Sequence, residues 1–147
     1  MRISIAAVGK LGKDFFREAA GEYEKRLSRF AKVEIWELGE GPDPRSEGER
    51  ILKRLPEGAY VLALAIDGTP MDSLEFAGMI EELALSGKSH LVFLIGGSDG
   101  LSREVLDRAD RRISFSKMTF PHQLMRVILL EQIYRAMKII RHEPYHK

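Results

Sequence analysis

The sequence has no cysteine, a single tryptophan and only four histidines among 147 residues. Without cysteine there is no disulfide and no thiolate metal ligand, and His90, His122, His142 and His146 lack the paired spacing of a zinc site. A metal-free protein is expected. No stretch approaches the roughly 20 apolar residues of a membrane span. The opening run from Met1 to Gly9 is too short for the apolar core of an export signal and passes straight into Lys10 and Lys13. It reads as a first strand, and the expected location is cytosolic. Internal repeats, low-complexity tracts and long linkers are missing too. So are the G-x-G-x-x-G dinucleotide fingerprint and the Walker A pattern, which disfavours NAD and nucleoside triphosphates. A chain of this length buries roughly two-thirds of its unfolded surface around one core, so residues 1–147 are expected to form one domain.

What is scarce in the last quarter of the chain is acid. From Arg111 to Lys147 eight Lys/Arg face only Glu131 and Glu143, a net +6, whereas the first 110 residues carry −5; the overall +1 hides this division. A basic segment on an acidic body attracts a polyanion locally through phosphate contacts. A merely solvated helix face is the other reading.

Apolar runs alternate with helix-like stretches, which predicts an α/β fold with a mainly parallel sheet and helices on both faces. Strands are expected at Arg2–Val8, Lys32–Leu38, Tyr60–Ile66, His90–Ile95 and Arg112–Phe115. Helices are expected at Asp14–Phe30, Ser46–Leu55, Asp72–Leu85, Ser102–Ala109 and Gln123–Arg141. Ser46-x-x-Glu49 and Asp72-x-x-Glu75 have the capping-box pattern, and Asp67-Gly68 predicts a tight turn. The last helix is apolar nearly all round, from Leu124 to Ile140. That excess predicts burial against a second subunit, with deeper burial inside one chain as the alternative.

Parallel α/β sheets bind ligands beyond the carboxyl ends of their strands, which singles out the loops after Ile66, Ile95 and Phe115. In Gly96-Gly97-Ser98-Asp99-Gly100 the glycines remove side chains and would let backbone approach a ligand, although a plain turn has the same look. The stretch Ser114–Gln123 is polar where packing would want apolar residues, and its proline precedes a long helix. Amides there can hold a ligand's polar edge. Thr119 as a helix cap and Phe120 as a hydrophobic staple are the structural alternatives. The tail from Arg141 to Lys147 is aromatic and cationic, suited to stacking on unpaired bases, unless it is simply frayed.

These residues resemble those of a known family. AVGK, LIGGSDGL, SFSKMTFPHQLMRVILLEQIYRAMKI and HEPYHK, which together span essentially the whole chain, are similar to the small pseudouridine N3-methyltransferases of large-subunit ribosomal RNA. These enzymes belong to the SPOUT class. The resemblance implies a deep C-terminal trefoil knot and S-adenosyl-L-methionine as methyl donor; a flavodoxin-like sheet would show the same periodicity. It places the donor against Leu64, Gly96, Gly97 and the run Phe115, Ser116, Lys117, Met118, Thr119 and Phe120. It also implies a homodimer, the tail of one subunit reaching toward the donor pocket of the other, acting on ribosomal RNA in an assembled large subunit or ribosome.

N3 of pseudouridine must lose its proton on methylation, and the resulting charge needs a cationic, hydrogen-bonding surround. Arg126, Lys117, Tyr145 and His146 are the expected surround, with His146 or His122 as proton acceptor. The alternatives are a capping role for His122 and, for Arg126, an ion pair with Glu131 or a phosphate contact. A non-catalytic ribosome- or RNA-binding α/β module is the rival function, and it would leave the glycine loop unexplained.

Overall fold

A computed structural model describes residues 1–147. In chain order the elements are β1 (Arg2–Val8), α1 (Asp14–Leu27), β2 (Lys32–Leu38), α2 (Pro44–Arg54), β3 (Tyr60–Pro70), α3 (Ser73–Leu85), β4 (His90–Ile95), α4 (Arg103–Arg108), β5 (Arg111–Ser114) and α5 (His122–Ile140). The five strands form one sheet in the order β2-β1-β4-β3-β5, every pair parallel. The continuous apolar runs of β1 and β4 are explained by their central place, where helices cover both faces.

Alternation along each strand divides the core in two. Ile3, Ile5 and Ala7 of β1 join Leu91, Phe93 and Ile95 of β4 beneath α1, α3 and α5. Ala6 and Val8 join Val92 and Leu94 beneath α2 and α4. The first face is the thicker because α5 lies between α1 and α3 and contacts both. Leu129, Leu130, Ile133, Ala136 and Met137 are buried there, so much of α5's excess apolar surface is covered within the chain. Val127, Tyr134, Ile139 and Ile140 are only partly covered.

The structure departs from the expected boundaries by more than one residue in three places. α2 begins at Pro44, two residues before Ser46, because Asp43 is its cap: Ser46 N–H donates to Asp43 Oδ1 (2.8 Å), and Pro44 supplies the helical φ of the first turn. The Ser46/Glu49 box is not used, whereas the Asp72/Glu75 box of α3 is made in both directions (2.7 and 3.2 Å). α1 stops at Leu27, and Phe30 N–H closes a turn on the Leu27 carbonyl (2.8 Å). Asp67-Gly68 makes no tight turn. β3 runs on to Pro70 and pairs twice with Ile113, from Leu64 and again from Thr69, so the residues between bulge at the sheet's carboxyl edge. Gly68 belongs there because a Cβ would lie 2.7 Å from the Ile113 backbone.

Candidate active site

A cleft of about 780 Å³ opens at the carboxyl ends of β3, β4 and β5. Its walls are the β3 bulge from Leu64 to Asp67, the glycine loop after β4, and the Ser114–His122 connection into α5. Leu64, Gly96, Gly97, Phe115, Ser116, Met118, Thr119 and Phe120 all line it, as does His122. Lys117 alone of the expected donor-binding residues does not.

Each loop is held by its own contacts. Gly100, at φ +83, takes a conformation that L side chains rarely adopt and closes a turn by donating to the Gly97 carbonyl (3.0 Å). A Cβ on Gly96 would lie 2.5 Å from the carbonyl carbon of Gly100. Both glycines line the cleft, and packing adds a requirement of its own. Gly96 is required by the packing of the loop on itself, and the space beside Gly97 is filled by the Glu47 carboxylate (3.3 Å from an ideal Cβ) and Val8 (3.4 Å). In the second loop Ser114 Oγ donates to the Ser116 carbonyl, and Ser116 Oγ accepts from Met118 N–H (both 2.9 Å). Phe115 is anchored edge-on to Phe76 (centroids 5.2 Å apart) and so ties the cleft wall to the core. Thr119 is not a cap: α5 follows Pro121, no side chain caps its first turn, and its amides stay unpaired beside the cleft.

No lysine or arginine lines the cleft; its ionisable groups are Asp67, Asp99 and His122. A phosphate-bearing ligand would meet carboxylates with no counter-charge. A sulfonium joined to an adenosine would meet apolar walls, backbone polar groups and negative charge, so the residues present fit S-adenosylmethionine.

Arg126 lies elsewhere. It is 1% exposed, donates from Nη1 to Glu37 Oε2 (2.6 Å) and from Nη2 to the Gly9 carbonyl (3.0 Å), and its Nε has no partner. It thus ties α5 to the ends of β1 and β2, beside a second cavity of about 430 Å³ that also holds Lys10, Arg17 and Glu24. Burial, and then the nearby Glu37, raise the Glu24 carboxyl above its ordinary range. The alternative pairing of Arg126 with Glu131 is not made.

Glu131 instead organises the tail. It is bound by Arg135 (2.9 Å) and accepts the Tyr145 hydroxyl hydrogen bond (2.8 Å), while Arg135 Nη1 meets His146 Nδ1 at 3.1 Å. The Tyr145 ring stands edge-on to Tyr134 (4.9 Å) with the Arg135 guanidinium 4.8 Å from its centroid. The tail is therefore docked, not frayed. Burial, then the Glu131 carboxylate, push the Tyr145 phenol up to about 12, so at neutral pH it is a hydrogen-bond donor and no base. Sequence reasoning missed Glu131 and Arg135, although an acid four residues before a base on a helix was the available signal. The structure brings together the donor-cleft residues but not the cleft and the tail: within one chain Tyr145 and His146 line no part of the cleft.

The family described as predicted SPOUT methyltransferase matches residues 1–146. Across the full length of both chains, the sequence is 55% identical to the ribosomal RNA large subunit methyltransferase H of Bifidobacterium animalis subsp. lactis. It is 50% identical, again over both full lengths, to the proteins of that name from Carboxydothermus hydrogenoformans and Ruminiclostridium cellulolyticum. With the match running through every element of the parallel sheet and both loops of the cleft, the chain belongs to the SPOUT methyltransferase family.

Proposed function

We propose that residues 1–147 act as one catalytic domain that transfers a methyl group from S-adenosylmethionine to N3 of a pseudouridine in large-subunit ribosomal RNA. The observation that carries the donor is the cleft itself: a strand bulge and two carboxyl-edge loops with apolar walls, two aspartates and no lysine or arginine. The relatives' names supply the class of RNA. The particular nucleotide, an assembled large subunit or ribosome as substrate, and the threading of the cleft loops into a trefoil knot rest on the resemblance of the tail and cleft motifs.

When bound, the donor supplies an electrophilic methyl on sulfur. The protein's part is alignment of the nucleophilic nitrogen and stabilisation of the charge left when its proton departs. Leu64 and Phe115 wall the cleft, and the uncapped first turn of α5 presents backbone donors to it. Arg135, Tyr145 and His146 form the cationic, hydrogen-bonding group suited to an imide anion: the Arg135 guanidinium donates to His146 Nδ1, so the neutral imidazole carries its hydrogen on Nε2 and serves as a donor, which leaves His122, at the cleft wall, as the proton acceptor.

Because cleft and tail stand apart in one chain, the reading requires a homodimer in which one subunit's tail completes the other's cleft. The partly covered Tyr134, Ile139 and Ile140, with Phe15 at 62% exposure, offer apolar surface for it. Calorimetry with S-adenosylmethionine tests the donor. Mass spectrometry of ribosomal RNA from a deletion strain, with and without the restored gene, tests the target. No donor binding would leave only an RNA-binding module, and no change in pseudouridine methylation would remove the proposed target.

A further inference from the structure

Glu47 is a buried carboxylate that the reaction outlined above does not use. It sits in the first turn of α2, 9% exposed, and its Oε2 accepts one hydrogen bond, from Gly41 N–H (3.1 Å). No lysine, arginine or histidine forms an ion pair with it, although the other acids facing the sheet's carboxyl edge are either exposed, as Asp67 and Asp99 are, or paired, as Glu37 is. Buried carboxylates without a counter-ion are costly and tend to mark functional sites. This one lies directly behind the glycine loop, both of its oxygens within 3.3–3.5 Å of where a Cβ of residue 97 would stand.

Its position is fixed by packing. Gly48 lets α2 close on the start of α4, where a Cβ would meet Ser102 Oγ at 2.3 Å, and Val8 packs beside Gly97 from the strand below. The carboxylate therefore presses on the back of a wall whose front lines the cleft, with no side chain at residue 97 to separate them. A glutamine or methionine would fill much the same volume, so the shape of the site does not by itself call for a charge.

We propose that Glu47 is a positioning residue whose uncompensated negative charge, acting through the Gly96-Gly97 backbone, tunes the cleft for a cationic donor over its neutral thioether product. Methyl transfer removes the positive charge from sulfur, so a fixed negative charge behind the wall favours the loaded state and assists release of the product. Asp67 and Asp99 carry the same sign, but water screens them; Glu47, 9% exposed, is screened less. The inference rests on the proposed donor.

The test is the ratio of two dissociation constants, measured by calorimetry on the full-length protein: S-adenosylmethionine against S-adenosylhomocysteine, with sinefungin, whose amine replaces the sulfonium, as a second cation. Glu47→Gln keeps an acceptor for Gly41 N–H and removes the charge. It should weaken both cationic ligands about three- to tenfold more than the thioether. Glu47→Asp, which keeps the charge and shortens the reach to Gly41, should leave the ratio near that of the wild type. Equal weakening of all three ligands by Glu47→Gln, or a ratio altered by Glu47→Asp alone, would make Glu47 a structural acceptor and overturn the proposal. Should the glutamine variant not fold, Glu47→Met is read the same way, and failure of both to fold would equally assign the residue to the fold. Wild-type protein that binds none of the ligands would refute the proposed donor itself, a separate outcome.

Discussion

Gly96 and Gly97 are neighbours with different tasks. At Gly96 a methyl group would meet backbone at 2.5 Å, which cannot give way, whereas at Gly97 it would meet the side chains of Glu47 and Val8 at 3.3–3.4 Å, which can. Gly96→Ala should therefore destabilise the protein by about 2 kcal/mol or more and abolish donor binding. Gly97→Ala should cost less than about 1 kcal/mol and weaken donor binding only modestly. Thermal melts with calorimetry on both variants check the contrast, and equal effects would contradict it. Tyr145 gives a pH signature. Its phenol is raised from 10 to about 12 in the folded protein, so the stabilisation from its docking is complete below pH 10 and is lost as pH rises toward 12. Tyrosinate absorbance, compared between the wild type and Tyr145→Phe, should show one phenol titrating late in the former only. At this scale the cleft residues were legible because glycines and hydroxyls after a strand are chemically conspicuous. Glu47 was not, and the Glu131/Arg135 spacing signals an ion pair but not its docking of the tail: their importance comes from what lies opposite them in space, and a charged residue on a helix looks solvated until its neighbours are known.

Helix ends tell a similar story among the elements. The pattern Ser/Asp-x-x-Glu occurs near the starts of both α2 and α3, yet only Asp72 stands at the helix start, Ser46 lying inside the first turn of α2. Asp72→Ala should destabilise by about 1 kcal/mol, lowering Tm by about 2–4 °C, while Ser46→Ala should cost only a few tenths of a kcal/mol. Comparable melting shifts for the two would refute the assignment of caps. Strand positions, helix order and the parallel sheet could be read from apolar periodicity, since a strand covered on both faces has to be apolar throughout. The β3 bulge could not. Asp67-Gly68 has the composition of a turn, and only the second pairing of β3 with Ile113 makes it a continuation of the strand.

For the whole molecule, the separation of the cleft from the tail is the main structural fact. Deleting Tyr145–Lys147 should leave S-adenosylmethionine affinity within about twofold of the wild type and abolish methylation of ribosomes, because within one chain the deleted residues line no part of the cleft and across the dimer they serve the RNA. A truncated protein that still methylates would sink the composite site. Light scattering at micromolar concentration should return twice the 16.7 kDa chain mass, and a monomer would do the same damage. The basic final segment and acidic body also predict RNA binding that weakens with salt, as phosphate contacts do.

The cation-free cleft bears on how such a site behaves among a cell's abundant adenine nucleotides. ATP shares the adenosine of the methyl donor, but its triphosphate would enter beside Asp67 and Asp99 with no lysine or arginine to receive it. Competition experiments should find ATP a poor displacer of S-adenosylmethionine even in large excess, and effective inhibitors should be those that carry a positive charge where the nucleotide carries its phosphates.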